Sequence, residues 1–323
     1  MKPLATLAMI AGCTAGFFLC ATAIAQTYPA KPVRVLVGFT AGGATDLAAR
    51  FLAQKLSETM GQPVVVENRP GAGSMLAPEV MVRSAPDGYT LVVSNVGIAM
   101  PSMFKKLPFD VRKDIAPVSL IGFGQVALFA HPSLPAKSVK EVVALAKRKP
   151  GALNYGSAGT GAFTHLAMAL FESLANIRMT HIPYKGSSQA VIGVTTGEVD
   201  LAFSSPAAAI ALVKQGRLRA LAVSGSTRSS LVPDVPTMAE AGIAGYDATS
   251  WYGLLAPAAT PRAAISKLSE ESVKALATAD MKERLLAQAI DPAKGGVDEF
   301  AALLAKEIPK WEKVIAGAKI PPQ

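Results

Sequence analysis

Two glycine loops, far apart in the chain, most constrain what this sequence can fold into. The first, Gly42-Gly43, stands between the apolar run Val33 to Phe39 and a helical pattern from Thr45 to Met60. The second, spanning Gly156 to Gly161, also stands between a short apolar run and a helical pattern. Strand and helix patterns alternate throughout, which predicts α/β sheets with largely parallel strands. Ligands of such sheets bind beyond the carboxyl ends of the strands, so two loops predict two lobes facing one cleft.

The N-terminus has the features of a secretory signal peptide. Lys2 precedes an apolar stretch that ends in the small-residue site Ala23-Ile24-Ala25. This pattern predicts a signal peptide over residues 1–25 and a periplasmic protein. A retained membrane helix is the alternative interpretation. Ile10 to Cys13 also resembles a lipoprotein cleavage site, so lipidation of Cys13 stays open.

Composition narrows the classes of function. Both cysteines, Cys13 and Cys20, lie in the predicted signal peptide, so the exported chain has no disulfide and no cysteine metal site. Removal of residues 1–25 leaves 31 basic and 23 acidic groups, a formal charge of +8. This charge mildly favours anionic ligands. Because the basic residues are scattered and aromatic residues make up only 6% of the chain, we expect no nucleic-acid partner.

The loops do not carry a nucleotide or hydrolase motif. Neither is followed by the Gly-Lys-Ser/Thr of a P-loop, neither has the G-x-G-x-x-G order, and no serine sits in a G-x-S-x-G elbow. The three histidines, His131, His165 and His181, are not at metal-ligand spacing. We therefore expect no metal and no cofactor. A hydrolase that uses Ser157 and His165 is the alternative from another class, although a capping or packing role suits His165 better.

Anion binding explains the loops more economically. The N-terminus of a helix carries unpaired N–H groups and a partial positive charge. Glycine lets a ligand approach the backbone closely, so a carboxylate can bind there without a lysine. For one loop alone, a plain structural turn is an equal alternative. Two such loops in an exported, two-lobed chain favour a binding site.

The residues also carry a resemblance to a known family. The opening "YPAKPVRVLVGFTAGGATDLAARFLAQKL" resembles the Bug receptors, which are the solute receptors of tripartite tricarboxylate transporters. The similarity continues in order through "VVVENRPGAGS", "APDGYTL", "YGSAGTGAFTHLAMALF", "IPYKGSSQAV", "GEVDLAF", "GRLRALAVSG" and "WYGLLAPAATP". It implies a type II periplasmic binding protein fold, in which two α/β lobes close around a ligand cleft. It also implies a receptor, not an enzyme, that captures a small carboxylate for a membrane permease.

The resemblance assigns residues to the site. Backbone amides and bridging water would hold the carboxylate, and they would come from Thr40, Ala41, Gly42, Gly43, Ala44, Thr45 and Asp46 and from Ser157, Ala158, Gly159, Thr160 and Gly161, with His165 nearby. Since a carboxylate would repel Asp46, we expect Asp46 to bind loop amides, water or a ligand amino group. We expect the wall distant from the loops to comprise Tyr28, Phe39, Ser94, Asn95, Ser204, Ser205 and Trp251. Packing is an equal alternative for Tyr28, Phe39 and Trp251.

The pattern also predicts domain boundaries and partners. One lobe would comprise residues 26–124 and 246–323, and the other residues 125–245. The predicted partners are a small organic acid, possibly aromatic or an amino acid, and either permease subunits or a sensor. We expect a monomer. The identity of the carboxylate stays open.

Overall fold

The computed structural model describes residues 28–184, 186–318, 320 and 322. The predicted signal peptide and Lys185 lie outside the described residues. The strands are β1 Val33–Val37, β2 Val64–Asn68, β3 Thr90–Asn95, β4 Ile115–Gly124, β5 Ala127–Ala130, β6 Asn154–Ser157, β7 Thr180–Pro183, β8 Leu201–Ser204, β9 Arg219–Val223, β10 Ser250–Pro257 and β11 Ile290–Pro292. The helices are α1 Ala44–Met60, α2 Leu76–Val82, α3 Val139–Arg148, α4 Phe163–Ala175, α5 Ser187–Thr196, α6 Pro206–Lys214, α7 Arg262–Ala277, α8 Ala279–Leu286 and α9 Val297–Gly317.

The strands form two separate sheets with the same internal arrangement. The first sheet has the order β2-β1-β3-β10-β4-β11, and the second has the order β7-β6-β8-β5-β9. In each sheet the first three strands in this order are parallel, and the next strand, β10 or β5, is antiparallel to both of its neighbours. The chain is therefore an α/β protein with two lobes.

Two crossovers connect the sheets. The chain leaves the first sheet after β4, enters the second at β5, and returns from β9 to β10. The antiparallel strand of each sheet is thus the one that directly follows a crossover. Gly124, at the end of β4, packs against the ring of Tyr252 on β10, since a Cβ at Gly124 would lie 2.9 Å from Tyr252 Cε2. The boundaries at residues 124 and 245 remain predictions.

The C-terminal helix α9 packs against β4 of the first sheet and against α4, which follows β6 of the second sheet. Helical spacing in the sequence predicts an apolar stripe of Phe300, Leu303, Leu304, Ile308, Trp311 and Ile315. Leu303 and Leu304 are partly buried, and the other four side chains are buried. Trp311 makes an edge contact with Phe163 of α4, with ring centroids 5.8 Å apart. The predicted packing role of Trp311 is confirmed.

One predicted helix start is wrong by one position. The sequence places Pro261 as the first residue of a helix, but Pro261 is the N-cap of α7, with an extended ψ of 137°. The pyrrolidine ring fixes φ and leaves ψ free, so proline can stand just before the first turn as well as in it.

Among the described residues, no helix is both long and apolar enough to cross a bilayer.

We expect Gly253→Ala to destabilise the protein, because α9 seats directly on β10 at this glycine. An added Cβ would lie 2.1 Å from Phe300 Cζ, so the phenyl ring must move. Overpacking of this kind costs about 1–3 kcal/mol. Urea unfolding measures the free energy of unfolding, and Gly317→Ala on α9 is a suitable control because nothing lies within 4 Å of its added Cβ. Equal stability of Gly253→Ala and the parent would contradict this packing.

Candidate functional site

A cleft of about 730 Å³ lies between the two lobes. It is lined by the segments that follow β1 and β3 in the first sheet and by those that follow β6 and β7 in the second. Ten of the residues assigned from sequence line it: Phe39, Thr40, Gly43, Ala44, Thr45, Asn95, Ala158, Gly159, Thr160 and Gly161. The two glycine loops are therefore brought together on one cavity.

The structure places the other assigned residues outside the lining of the cleft. Ala41 and Gly42 are exposed on the first loop, while the side chains of Asp46, Ser94, Ser157, His165, Ser204 and Trp251 are buried. Ser205 is the N-cap of α6. Tyr28 donates its hydroxyl proton to the Gly88 carbonyl at 2.6 Å and packs on Tyr89. These contacts give Tyr28 a packing role.

Asp46 fixes the first loop. Its Oδ2 accepts hydrogen bonds from the Gly42 N–H (2.9 Å) and from Arg50 Nε (3.0 Å), and its Oδ1 accepts one from Asn68 Nδ2 (2.8 Å). Burial opposes ionisation of this carboxyl group, but the donors from Arg50, Gly42 and Asn68 outweigh it and lower its pKa. Asp46 is thus an ionised anchor beneath the loop, and its charge is neutralised by Arg50.

Gly38 and Gly42 give this loop its shape. Gly42 has φ of +86°, a conformation in which glycine is favoured. A Cβ at Gly38 would lie 2.2 Å from the carbonyl oxygen of Ser74, so no side chain fits there. This close approach brings Ser74 into the wall of the cleft.

The second loop is held by its own side chains. The N–H groups of Ala158, Gly159 and Gly161 donate to Thr164 Oγ1 (2.9 Å), Ser157 Oγ (3.1 Å) and His165 Nδ1 (3.0 Å), respectively. These three amides were expected to point at a ligand. In this structure they instead fix the loop, because each lies within reach of a hydroxyl or imidazole acceptor from the same segment.

The histidines form a buried stack under this loop. The rings of His165 and His181 lie 3.9 Å apart and almost parallel, and Tyr155 stacks on His181 at 5.0 Å. Ser157 Oγ lies 2.6 Å from His181 Nε2, so Ser157 pairs with His181 and not with His165. Since Ser157 is fully buried, a nucleophile in this position has no access to a substrate. The arrangement serves to hold Gly159 and Gly161.

Three helices point their N-termini at the cleft, and none has a side-chain cap. The N-cap residues are Gly43 for α1, Ala162 for α4 and Gly186 for α5. Among the described α-helices, only α3 and α8 have a side-chain cap, from Ser138 and Thr278, so the three cleft helices share the lack of a cap with α2, α6, α7 and α9. The first N–H groups of a helix have no partner inside the helix, so those of α1, α4 and α5 are available to a ligand. The cleft therefore carries positive potential with no cationic side chain among its described lining residues.

Sequence reasoning missed more than half of the lining. The additional residues are Gly73, Ser74, Gly97, Met100, Met103, Phe104, Ala162, Phe163, Thr164, Gly186, Ser187, Ser188 and Tyr252. Many belong to the turns that follow β3 and β7. Those turns lie at the carboxyl ends of parallel strands, as the glycine loops do after β1 and β6. That shared position is the signal that could have found them.

A second, smaller cavity explains the position of Trp251. It encloses about 280 Å³ between the crossovers, β11 and α9, and Trp251 lines it together with Gln125 and Asp291. Trp251 and Tyr252 are neighbours in β10, so their side chains point to opposite faces of the sheet. Tyr252 faces the main cleft and Trp251 does not.

We expect acid to destabilise the protein through His165. Burial, assisted by His181, lowers the pKa of His165 from 6.5 to about 4. Between these two values the unfolded chain binds more protons than the folded chain, so the stability that neutral His165 contributes is present above pH 6.5 and lost as pH falls toward 4. The free energy of unfolding should fall by roughly 2 kcal/mol from this group between pH 7 and about pH 4.5.

Urea unfolding across this pH range measures the effect, and His165→Gln is its control. Glutamine can accept the hydrogen bond from Gly161 but does not titrate. The variant should lose the share of the pH dependence that belongs to His165, while the carboxyl groups and His181 contribute equally in both proteins. Identical pH dependence of the two proteins would contradict this assignment.

Comparison with known proteins identifies the family. A family model described as the tripartite tricarboxylate transporter family receptor matches residues 48–320. The chain is 36% identical to the protein BugT of Bordetella pertussis over 312 residues, which is 95% of each chain.

Solved structures agree with this match. An R. palustris protein solved with adipate is 32% identical, with a TM-score of 0.81 over 92% of this chain and all of that one. MatC from Rhodopseudomonas palustris, solved with bound malate, is 32% identical, with a TM-score of 0.76 over 89% of this chain and all of that one. Such proteins are periplasmic solute-binding receptors and not enzymes, and this chain belongs to the receptor family of the tripartite tricarboxylate transporters.

Proposed function

We propose that this protein captures a small carboxylate between its two lobes in the periplasm and delivers it to a membrane permease. The observation that carries the proposal is the convergence of three uncapped helix N-termini on one cleft. The relatives solved with adipate and malate hold carboxylates, which supports the same class of ligand here.

The carboxylate is held by backbone N–H groups and bridging water. The unoccupied donors are the first amides of the helices: Ala44 and Thr45 from α1, Phe163 and Thr164 from α4, and Ser187 and Ser188 from α5. Each hydrogen bond to a charged acceptor contributes about 1.5–3 kcal/mol. The glycine loops position these helix ends, and their own internal hydrogen bonds keep the donors aligned before the ligand arrives.

Both lobes contribute donors, so the ligand links them. One lobe comprises residues 26–124 and 246–323 and supplies α1, while residues 125–245 supply α4 and α5. A carboxylate that accepts hydrogen bonds from both sides favours the closed arrangement of the lobes, and the two crossovers act as the hinge. The receptor acts as a monomer after removal of residues 1–25. Presentation of the ligand to a sensor instead of a permease is the alternative outcome.

We expect the protein to become more compact when it binds its ligand. Small-angle X-ray scattering of the mature chain, with and without saturating carboxylate, should show a smaller radius of gyration in the bound state. Saturation is established beforehand by titration. An unchanged radius at proven saturation would argue against closure, although not against binding.

A side chain at position 43 should block the site without disturbing the fold. Gly43 has φ of −80°, which any residue adopts, and the nearest atom to an added Cβ is the Thr40 carbonyl oxygen at 3.9 Å. Gly43→Val therefore projects into the cleft and displaces the ligand from the end of α1. The loss of one charged hydrogen bond weakens binding by roughly 10- to 150-fold. Gly159 is a poorer choice, because its φ of +129° disfavours any side chain.

Calorimetric titration with the tightest binder from a panel that includes adipate, malate and octanoate measures this effect. Gly317→Val, remote from the cleft, is the control, and circular dichroism verifies that each variant folds. Lys185→Ala tests the competing idea that a cationic side chain holds the acid, and it should bind like the parent. If Lys185→Ala abolishes binding while Gly43→Val binds normally, recognition by backbone amides is wrong.

A further inference from the structure

The wall of the cleft that lies beyond β3 is apolar. After β3 the chain makes two short 3₁₀ turns, Val96–Ala99 and Pro101–Met103, which carry Met100 and Met103 into the cleft lining. Both methionines are only 2% exposed. Phe104 and, from the second lobe, Phe163 also line the cleft. Thioether and aromatic groups offer a ligand dispersion contacts but no strong hydrogen bond.

No charged side chain lines the cleft among the described residues. The arginines nearest the first loop are already paired, Arg50 with Asp46 and Arg69 with Glu67. Lys105 and Lys106 follow Phe104, but they are exposed and outside the lining. Among the described residues of the lining, the source of positive potential is therefore the helix N-termini.

The N-termini of α4 and α5 lie close together in the cleft. The loop that precedes α4 contacts the segment that precedes α5, since a Cβ at Gly159 would lie 3.3 Å from the carbonyl oxygen of Tyr184. The two 3₁₀ turns Val96–Ala99 and Pro101–Met103, here called the methionine turns, lie in the other lobe, where they follow β3. The cleft thus combines helix N-termini, which suit a carboxylate, with an apolar wall formed by Met100, Met103 and Phe104.

From this division we infer that the ligand is a monocarboxylate with an uncharged aliphatic or aromatic tail, which packs on Met100, Met103 and Phe104. The inference rests on the proposed function. A second carboxylate on the tail would lose its water against thioether and phenyl groups, with no countercharge among the described lining residues, which is unfavourable. An apolar tail instead gains free energy as its surface leaves water. Since the cleft measures about 730 Å³, it accommodates a chain much longer than that of a two- or three-carbon acid.

Octanoate and suberate test this inference, because they share a chain length and differ by one terminal carboxylate. Calorimetric titration of the full mature chain at pH 8, where both acids are ionised, should show octanoate binding at least about tenfold more tightly, a difference of about 1.4 kcal/mol. Equal affinity or tighter binding of suberate would overturn the inference and leave the proposed carboxylate receptor intact. If no acid in a series from acetate to decanoate and suberate binds, the proposed function fails as well.

Substitution of Phe104 gives a second readout. Phe104→Lys places an ammonium group in the apolar wall, so it should weaken octanoate and strengthen suberate. Phe104→Leu keeps the wall apolar and should preserve the order of the two affinities. Phe104 is partly exposed, and circular dichroism verifies folding. If Phe104→Lys folds and changes neither affinity, the tail does not contact this wall. If Phe104→Lys does not fold, the comparison of octanoate and suberate on the parent protein still tests the inference.

Discussion

Hydrogen bonds from loop amides to side chains of the same segments hold the site in shape. Asp46 binds the Gly42 N–H under the first loop, and Thr164, Ser157 and His165 bind three amides of the second. Without these bonds, loops rich in glycine would sample many conformations. Part of the binding free energy would then be lost in ordering them. The helix ends that follow the loops are therefore presented already aligned. These polar side chains bind the backbone of the protein, which leaves the first amides of the helices as the donors in the proposed site.

This division of roles reconciles an acidic residue with an anion site. Asp46 stands at the entrance of α1, where a carboxylate is favourable for the helix, but its charge is shared by Arg50, Asn68 and the Gly42 amide. The sequence predicted that Asp46 binds loop amides, and it does. It also predicted a capping or packing role for His165, which accepts from Gly161 and stacks on His181. In both cases the loop amide involved, Gly42 or Gly161, lies four residues before the side chain that binds it, so a local pattern was enough to predict the contact.

Features that depend on distant pairing were not accessible in the same way. His181 reaches Ser157 only because β6 and β7 are adjacent in the second sheet. No local pattern in the sequence indicates that these two strands pair. Trp251 was assigned to the cleft and Tyr252 was not, since the alternation along a strand does not reveal which face meets the ligand. The methionine turns lack helical or strand periodicity, so their apolar residues looked like ordinary core. The fold class, the loops and the amphipathic stripe of α9 needed only local patterns.

The same topology explains why one cleft has two characters. In each sheet the parallel strands send their carboxyl ends toward the other lobe, so every segment that follows such a strand can contribute to the cleft. After β1 and β6, a glycine loop leads directly into a helix. The first amides of that helix have no partner inside it, and they favour negative charge. Where 3₁₀ turns intervene, as after β3, backbone N–H groups such as those of Gly97 and Met100 have local partners, and the side chains of Met100, Met103 and Phe104 form most of the wall. In the receptor proposed here, the helix N-termini bind the acid, whereas the choice among acids falls to the few residues of an irregular segment that can change without altering either sheet.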